Sequence, residues 1–291
     1  MSERLPSWIR IRVPTPSEAA GIREVRALLA KHNLTTVCQG AACPNAAECW
    51  SHRTATFMLL GEVCTRACRF CAVPTGIREG VVDWGEPERI AAAVCELGLK
   101  YVVLTSVDRD DLEDGGAEVF ARAIRAIRDE RPEVRIEVLI PDFSGRTASL
   151  DRVLDAGADV CGHNLETVAS LTPQYRDRRA GYLQSLDVLA YLSASGAAIV
   201  KSGLMLGLGE SRAELAQAFN DLRYAGVQIL TLGQYLRPGP DAAEVARYVA
   251  PEEFEQLRAQ ALALGFRAVV AGPLVRSSYH AHEAYSSSCG S

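Results

Sequence analysis

Three thiols within eight residues constrain this chain more than any other feature: Cys64-Thr65-Arg66-Ala67-Cys68-Arg69-Phe70-Cys71, shortly after the apolar run Phe57-Met58-Leu59-Leu60. A structural zinc site needs four ligands to close its tetrahedron. Three thiolates on so short a loop can instead hold three irons of a 4Fe–4S cube and leave the fourth iron open. The open corner is where chemistry can happen. A partial zinc site, or three unrelated core cysteines, would use the same residues without it.

The rest of the composition sets the context. With 291 residues, 48% of them hydrophobic, the chain can build one large core, and its size suits a single α/β barrel as well as two smaller domains. A net charge of -5 gives no global attraction to nucleic acid or to an anionic membrane, so neither is expected as a partner. The first residues, Met1 to Pro14, contain no apolar signal core. Charges interrupt every later apolar run before it reaches membrane-spanning length, which leads us to expect a cytoplasmic protein. Nine cysteines in such a chain argue for metal or redox chemistry over disulfides.

A second triple, Cys38-x4-Cys43-x5-Cys49, lies in a loop punctuated by Gly40, Pro44 and Asn45. It could be a zinc knuckle completed by His32 or His52, or a second iron–sulfur cluster whose fourth ligand comes from elsewhere. Zinc knuckles show tight cysteine pairs two residues apart, and there are none here, which favours the cluster.

The spacing of the first-named triple, with Phe70 before its last cysteine, resembles the cluster motif of the radical S-adenosylmethionine superfamily. The run Thr36 to Trp50 followed by Cys64 to Cys71 is similar to the lipoyl synthase family in particular. That resemblance implies an auxiliary 4Fe–4S cluster on Cys38, Cys43 and Cys49. It implies a second cluster on Cys64, Cys68 and Cys71 whose unique iron chelates S-adenosylmethionine, with Phe70 near the adenine. The implied fold is α/β, a partial, splayed (β/α)6 barrel of the TIM type at 54–266. Extensions at 1–53, with the auxiliary cysteines, and 267–291, with an Arg-Ser-Ser-Tyr word, would flank it.

The periodicity fits a parallel barrel. Strands are expected at Phe57 to Gly61, Tyr101 to Ser106, Arg135 to Pro141, Val160 to Asn164, Ile199 to Leu206, Gln228 to Gln234 and Ala268 to Ala271. Helices are expected at Pro87 to Leu97, Gly116 to Asp129, Arg146 to Ala156, Tyr182 to Ser195, Arg212 to Tyr224 and Pro251 to Ala263. Ahead of them an extended basic entry, Trp8 to Val13, leads to a covering helix at Glu18 to Lys31, with Ile22, Val25, Leu28 and Leu29 on one face.

Loops after parallel strands converge on one mouth. After the second strand, Thr105 to Gly116 is dense in acids but has no calcium-loop spacing, so it reads as a solvated loop and helix cap. The resemblance places Ser106 of this stretch near S-adenosylmethionine. After the fourth strand stands His163-Asn164-Leu165-Glu166. An acid/base set has no use in removing hydrogen from an alkyl chain, so His163 reads as structural, and the resemblance assigns Asn164 and Glu166 to the cofactor pocket. The fifth strand carries Lys201-Ser202-Gly203-Leu204-Met205-Leu206-Gly207-Leu208-Gly209-Glu210. A glycine-rich strand end is weak alone, but here it matches a superfamily motif near the adenine, which makes Lys201 and Gly207 cofactor-binding candidates.

Arg176, Arg178 and Arg179 form the densest basic patch, either a solvated helix entry or a docking surface for an acidic carrier protein. Their stretch, Tyr175 to Tyr182, is shorter than is usual in the family and lacks its proline, and Arg237 stands where glutamine is common. In Arg276-Ser277-Ser278-Tyr279 the resemblance makes Ser278 the fourth ligand of the auxiliary cluster. A serine oxygen is a poor match for iron among thiolates, so that corner should open most easily. Cys95 and Cys161 read as small apolar residues, and Cys289 belongs to a Ser286 to Ser291 tail expected to be disordered.

The activity implied by the resemblance is insertion of two sulfur atoms at the sixth and eighth carbons of a protein-bound octanoyl-lysine chain, making the lipoyl group. S-adenosylmethionine would give a 5′-deoxyadenosyl radical, and the auxiliary cluster would give the sulfur. Cys64, Cys68, Cys71 and Ser278 would be the catalytic set. Implied partners are octanoylated carriers (the glycine-cleavage H protein and lipoyl domains of 2-oxoacid dehydrogenases), an electron donor such as ferredoxin or flavodoxin, and an iron–sulfur carrier for cluster repair. The enzyme is expected to be a monomer. A biotin synthase, a methylthiotransferase and a zinc-stabilised binding protein are the competing readings.

Overall fold

Runs of β-branched residues separated by amphipathic helices form parallel strands here because each strand can bury one face under its own crossover helices. The computed structural model describes residues 5–10, 15–36, 45, 48–49 and 55–288. After helix α1 (Pro16–Lys31) the order is β1 (Thr56–Leu59), α2 (Glu86–Leu97), β2 (Tyr101–Ser106), α3 (Ala117–Glu130), β3 (Arg135–Leu139), α4 (Thr147–Asp155), β4 (Val160–Gly162), α5 (Thr172–Tyr175), α6 (Tyr182–Ala194) and β5 (Val200–Leu206). Then follow α7 (Arg212–Tyr224), β6 (Ile229–Gln234), α8 (Pro251–Ala263), β7 (Ala268–Gly272) and α9 (Ala281–Ser288). The strands line up in chain order, each pairing in parallel with the next, and among the described residues β1 and β7 do not close the ring. The result is an open barrel, with β7 adding a seventh strand from the stretch expected to be an extension.

Strand periodicity sorts the side chains. Val102 and Leu104 of β2 and Ile136 and Val138 of β3 join Ile90 and Val94 of α2 and Phe120 and Ile124 of α3 in the main core. Tyr101 and Val103 face the other way, onto Ala281 and Tyr285 of α9. Thus α9 fills the inner face near the strand starts, and a cavity remains on the same face near the strand ends. α1 covers the outside as expected: Val25 and Leu29 are buried, Lys31 and His32 meet Glu96, and Arg89 donates to the His32 carbonyl at 2.8 Å.

Between the cavity and α9 lies a buried ionic pair. Lys201 Nζ donates to Glu137 Oε1 at 2.7 Å, with side chains 3% and 2% exposed, and the Tyr101 hydroxyl donates to Glu137 Oε2 at 2.7 Å. Burial and the Glu137 charge push the Tyr101 phenol far up. Lys201, expected in the cofactor pocket, does not line the cavity: its ammonium is committed to Glu137, one layer below the residues that do.

Two expectations at the ends also change. Pro6 to Ile9 forms a turn, closed by the Ile9 amide on the Pro6 carbonyl at 3.0 Å, where an extended entry was expected, and Val13 lies outside the described residues. Ser286 to Ser288 form the last turn of α9, with Ser288 buried, because Ala281, Ala284 and Tyr285 pack against the inner sheet face. Cys289 lies outside the described residues. Among those described, no helix is long and apolar enough to cross a membrane.

Breaking one side of a buried pair leaves an uncompensated charge and costs about 3–5 kcal/mol, whereas removing both charges is far milder. Lys201→Met alone should therefore lower the unfolding free energy by that amount, and Glu137→Leu combined with Lys201→Met should recover most of it. Equal losses in the two variants would contradict the pairing.

Candidate active site

The cysteine loop leaves β1 at its C-terminal end, and its three thiols share the wall of one cavity of about 390 Å³ at the strand ends. Each sulfur accepts a backbone N–H: Cys64 from Arg66 at 3.4 Å, Cys68 from Asp177 at 3.3 Å and Cys71 from Val73 at 3.4 Å. Burial pushes the Cys64 thiol up to about 11 and Cys68 up to about 12, and raises Cys71 as well. Bare, these groups stay protonated. A bound iron centre would supply the positive charge that makes them thiolates, and the three N–H donors already point at the sulfurs that would carry the charge, so the donor set fits a cluster.

Arg66, between the first two cysteines, fixes the loop. Its guanidinium is 3% exposed and pairs with both oxygens of Asp142 at 2.7 Å each. It also pairs with both oxygens of Asp110, at 3.1 and 2.8 Å, and reaches Asp108 at 3.3 Å. Burial alone would raise Asp142 and Asp110, but the Arg66 hydrogen bonds outweigh it and hold both below the ordinary carboxylate range. Asp108 has less help and burial lifts it to about 6. Thr65 adds a bond from its hydroxyl to Asp110 at 2.8 Å.

The connection after β4 grips the loop from the other side. Asp177 accepts the Ala67 amide at 3.0 Å, the Tyr175 carbonyl accepts the Arg69 amide at 2.8 Å, and Arg179 donates to the Thr65 carbonyl. Arg176 is buried and donates to Ser185 Oγ at 2.8 Å. Of the basic patch read as a docking surface, Arg176 is therefore spent inside the site, while Arg178 and Arg179 are exposed, Arg179 with its hydrogen bonds turned to the cysteine loop and Asp177.

Ser106, Asn164 and Glu166 line the same cavity. Ser106 Oγ is buried with no partner among the described residues, a polar atom waiting for a ligand. Glu166 holds φ at 68°, a conformation uncommon for a residue with a side chain, and is kept there by its backbone bonds to Gly203 and Met205 on β5. Burial raises its carboxyl, against Arg176 and Asn164. His163 sits between the Ile140 carbonyl and Ser185 Oγ, both at 2.9 Å, and burial lowers it to about 4, which bears out its structural role. Gly207, expected near the cofactor, does not line the cavity. Its amide is taken by Glu210 at 2.7 Å, and its lack of a side chain serves packing, since a Cβ there would lie 2.4 Å from the Arg247 carbonyl.

The C-terminal word closes the cavity. Val275, Arg276, Ser277 and Ser278 line it. The chain can cross here because Gly233 has no side chain: a Cβ would stand 2.1 Å from the Val275 carbonyl oxygen. Arg276 donates to the Gln234 carbonyl at 3.2 Å and Asn164 to Ser277 Oγ at 3.2 Å. The segment bearing Cys49 packs on this crossing, with Asn45 donating to the Leu274 carbonyl at 2.6 Å and Tyr279 to Glu48 at 3.2 Å. Burial, Glu48 and Cys49 together push the Tyr279 phenol up to about 12. Cys38 and Cys43 lie outside the described residues.

The radical SAM superfamily model matches residues 58–222. A lipoyl synthase of Pyrobaculum aerophilum is 54% identical over 283 residues, covering 97% of this chain and 96% of its own. One from Deinococcus radiodurans is 52% identical, covering 97% and 84%. The chain belongs to the lipoyl synthase family. As a member it is a radical S-adenosylmethionine enzyme of lipoyl formation, a sulfurtransferase that depends on 4Fe–4S clusters, as its sequence led us to expect. The crystal structure of methylornithine synthase matches at a TM-score of 0.55 with 12% identity, over 87% of this chain and 85% of that one, a likeness of fold alone.

Of the expected lipoyl synthase site residues, Cys64, Cys68, Phe70, Cys71, Ser106, Asn164, Glu166 and Ser278 meet in one cavity, Cys49, Lys201 and Gly207 do not line it, and Cys38 and Cys43 lie outside the described residues. Sequence reasoning missed Arg66 and its carboxylates. An arginine inside a cysteine loop, with aspartates after the next two strands, was the available signal. Arg66→Lys keeps a charge beside buried Asp142 but cannot keep two bidentate pairs, so it should cost about 1.5–3 kcal/mol of unfolding free energy for each charged hydrogen bond lost. Adding Asp142→Asn should return part of that loss, and a lysine variant as stable as the parent would contradict the clamp.

Proposed function

We propose that this chain makes the lipoyl group at this cavity: Cys64, Cys68 and Cys71 on its wall hold the cluster that binds S-adenosylmethionine, and Ser278 on its wall joins Cys38, Cys43 and Cys49 in holding the auxiliary one. The observation that carries this reading is that Ser278, from the far end of the sequence, lines the same cavity as the three loop thiols. When bound, the clusters supply a one-electron reductant for S-adenosylmethionine and the two sulfur atoms of the product.

The chain's own residues supply binding and shelter. Phe70, Ser106, Asn164 and Glu166 receive the adenine and the polar groups of S-adenosylmethionine. Met58, Leu139, Met205, Leu236 and Val275 offer the apolar wall that an eight-carbon chain needs. No side chain acts as a base on the alkyl C–H bonds, and His163, buried and neutral, is not available for one. The octanoyl-lysine enters on its carrier, either the glycine-cleavage H protein or a lipoyl domain of a 2-oxoacid dehydrogenase. Ferredoxin or flavodoxin serves as electron donor, an iron–sulfur carrier rebuilds the auxiliary centre, and the enzyme works as a cytoplasmic monomer.

Anaerobic incubation with octanoylated carrier, S-adenosylmethionine and reductant should add two sulfurs to the carrier, read by mass spectrometry. Cys68→Ala should form no 5′-deoxyadenosine. Cys43→Ala should form it yet leave the carrier without sulfur. Deoxyadenosine from the first variant, or lipoylated carrier from the second, would overturn the corresponding assignment.

A further inference from the structure

We propose that Glu48 and Tyr279 form a clasp whose role is to position Ser278 as a ligand of the auxiliary cluster. The inference rests on the reading above that this cluster uses Cys38, Cys43, Cys49 and Ser278. Glu48 immediately precedes Cys49, and Tyr279 immediately follows Ser278, so one hydrogen bond ties together two ligand-bearing segments 231 residues apart in sequence. The Tyr279 hydroxyl is shared between both Glu48 carboxylate oxygens, at 3.3 and 3.2 Å.

The neighbouring residues reinforce the clasp. His280 Nε2 lies 3.6 Å from Glu48 Oε1 and His280 Nδ1 lies 2.6 Å from Glu283 Oε1. The His280 ring meets Tyr279 edge-on, with centroids 4.1 Å apart. His280 has a left-handed φ of 49°, which turns the chain from the crossing into α9. Strain of that kind persists only where the surroundings over-determine the backbone. On the other side, Ser277 accepts from Asn164. Ser278 is thus pinned through both neighbours, while its own hydroxyl makes no hydrogen bond among the described residues. A serine oxygen binds iron weakly beside thiolates, so its place in the coordination shell depends on being held there in advance.

The test compares iron loss from anaerobically loaded wild-type protein, Tyr279→Phe, Glu48→Ala and Glu48→Gln in the presence of a ferrous chelator, with electron paramagnetic resonance recorded alongside. Loss of an outer-shell partner lowers metal retention about 10- to 100-fold. Tyr279→Phe and Glu48→Ala should release about one of the roughly eight irons of two cubes faster by such a factor and show the signal of a three-iron cluster. Glu48→Gln still accepts from the tyrosine and should stay near wild type. A merely structural role would not be rescued in this way. Iron loss from Tyr279→Phe at the wild-type rate, in protein holding roughly eight irons as two cubes would, overturns the clasp alone. Wild-type protein holding only about four irons overturns the auxiliary-cluster reading and the clasp with it.

Discussion

One guanidinium determines the shape of this active site. Arg66 sits inside the cysteine loop and meets carboxylates from the loops after β2 and β3, and Asp142 is fully buried against it. A carboxylate in that position is tolerable only if it is paired and fully hydrogen-bonded, and Arg66 offers a planar fork that two carboxylates can grip side by side. The loop cannot move without exposing or stranding those charges. Its three sulfurs are therefore held on one wall, each with a backbone N–H donor already in place. Preorganisation of this kind is what a cluster site needs from its protein.

The second constraint is the path of the C-terminal segment. After β7 the chain crosses the mouth over Gly233, presents Ser277 and Ser278 to the cavity, reverses at His280 and runs back as α9 along the inner sheet face. A single stretch thus closes the cavity at the strand ends and fills the barrel at the strand starts. At the base Tyr101 packs on Tyr285 and His282 of α9 while donating to Glu137.

Much of this was legible in the residues themselves. β2, α7 and α8 have the bounds that their periodicity gives, and the two cysteine triples with the Arg-Ser-Ser-Tyr word pointed to one family. What was not legible depends on partners that only the fold brings near. Lys201 lies on the same strand face as Gly203 and Met205, which line the cavity, but two residues lower, where Glu137 of β3 reaches it. The acids from Asp108 to Asp111 read as a solvated cap because nothing local announces Arg66 among them. Arg179 read as part of a surface patch because the cysteine loop it holds is more than a hundred positions away. The serine tail read as disordered because its burial comes from sheet residues far earlier in the chain.

The central claim is that two iron centres share one cavity, with Ser278 at the second. Anomalous diffraction at the iron edge, from crystals of the anaerobically loaded protein, tests it most directly. The account predicts two separate four-iron sites, one against Cys64, Cys68 and Cys71, the other within bonding reach of Cys49 and Ser278. A single iron site, or a second one to which Ser278 contributes nothing, would contradict it.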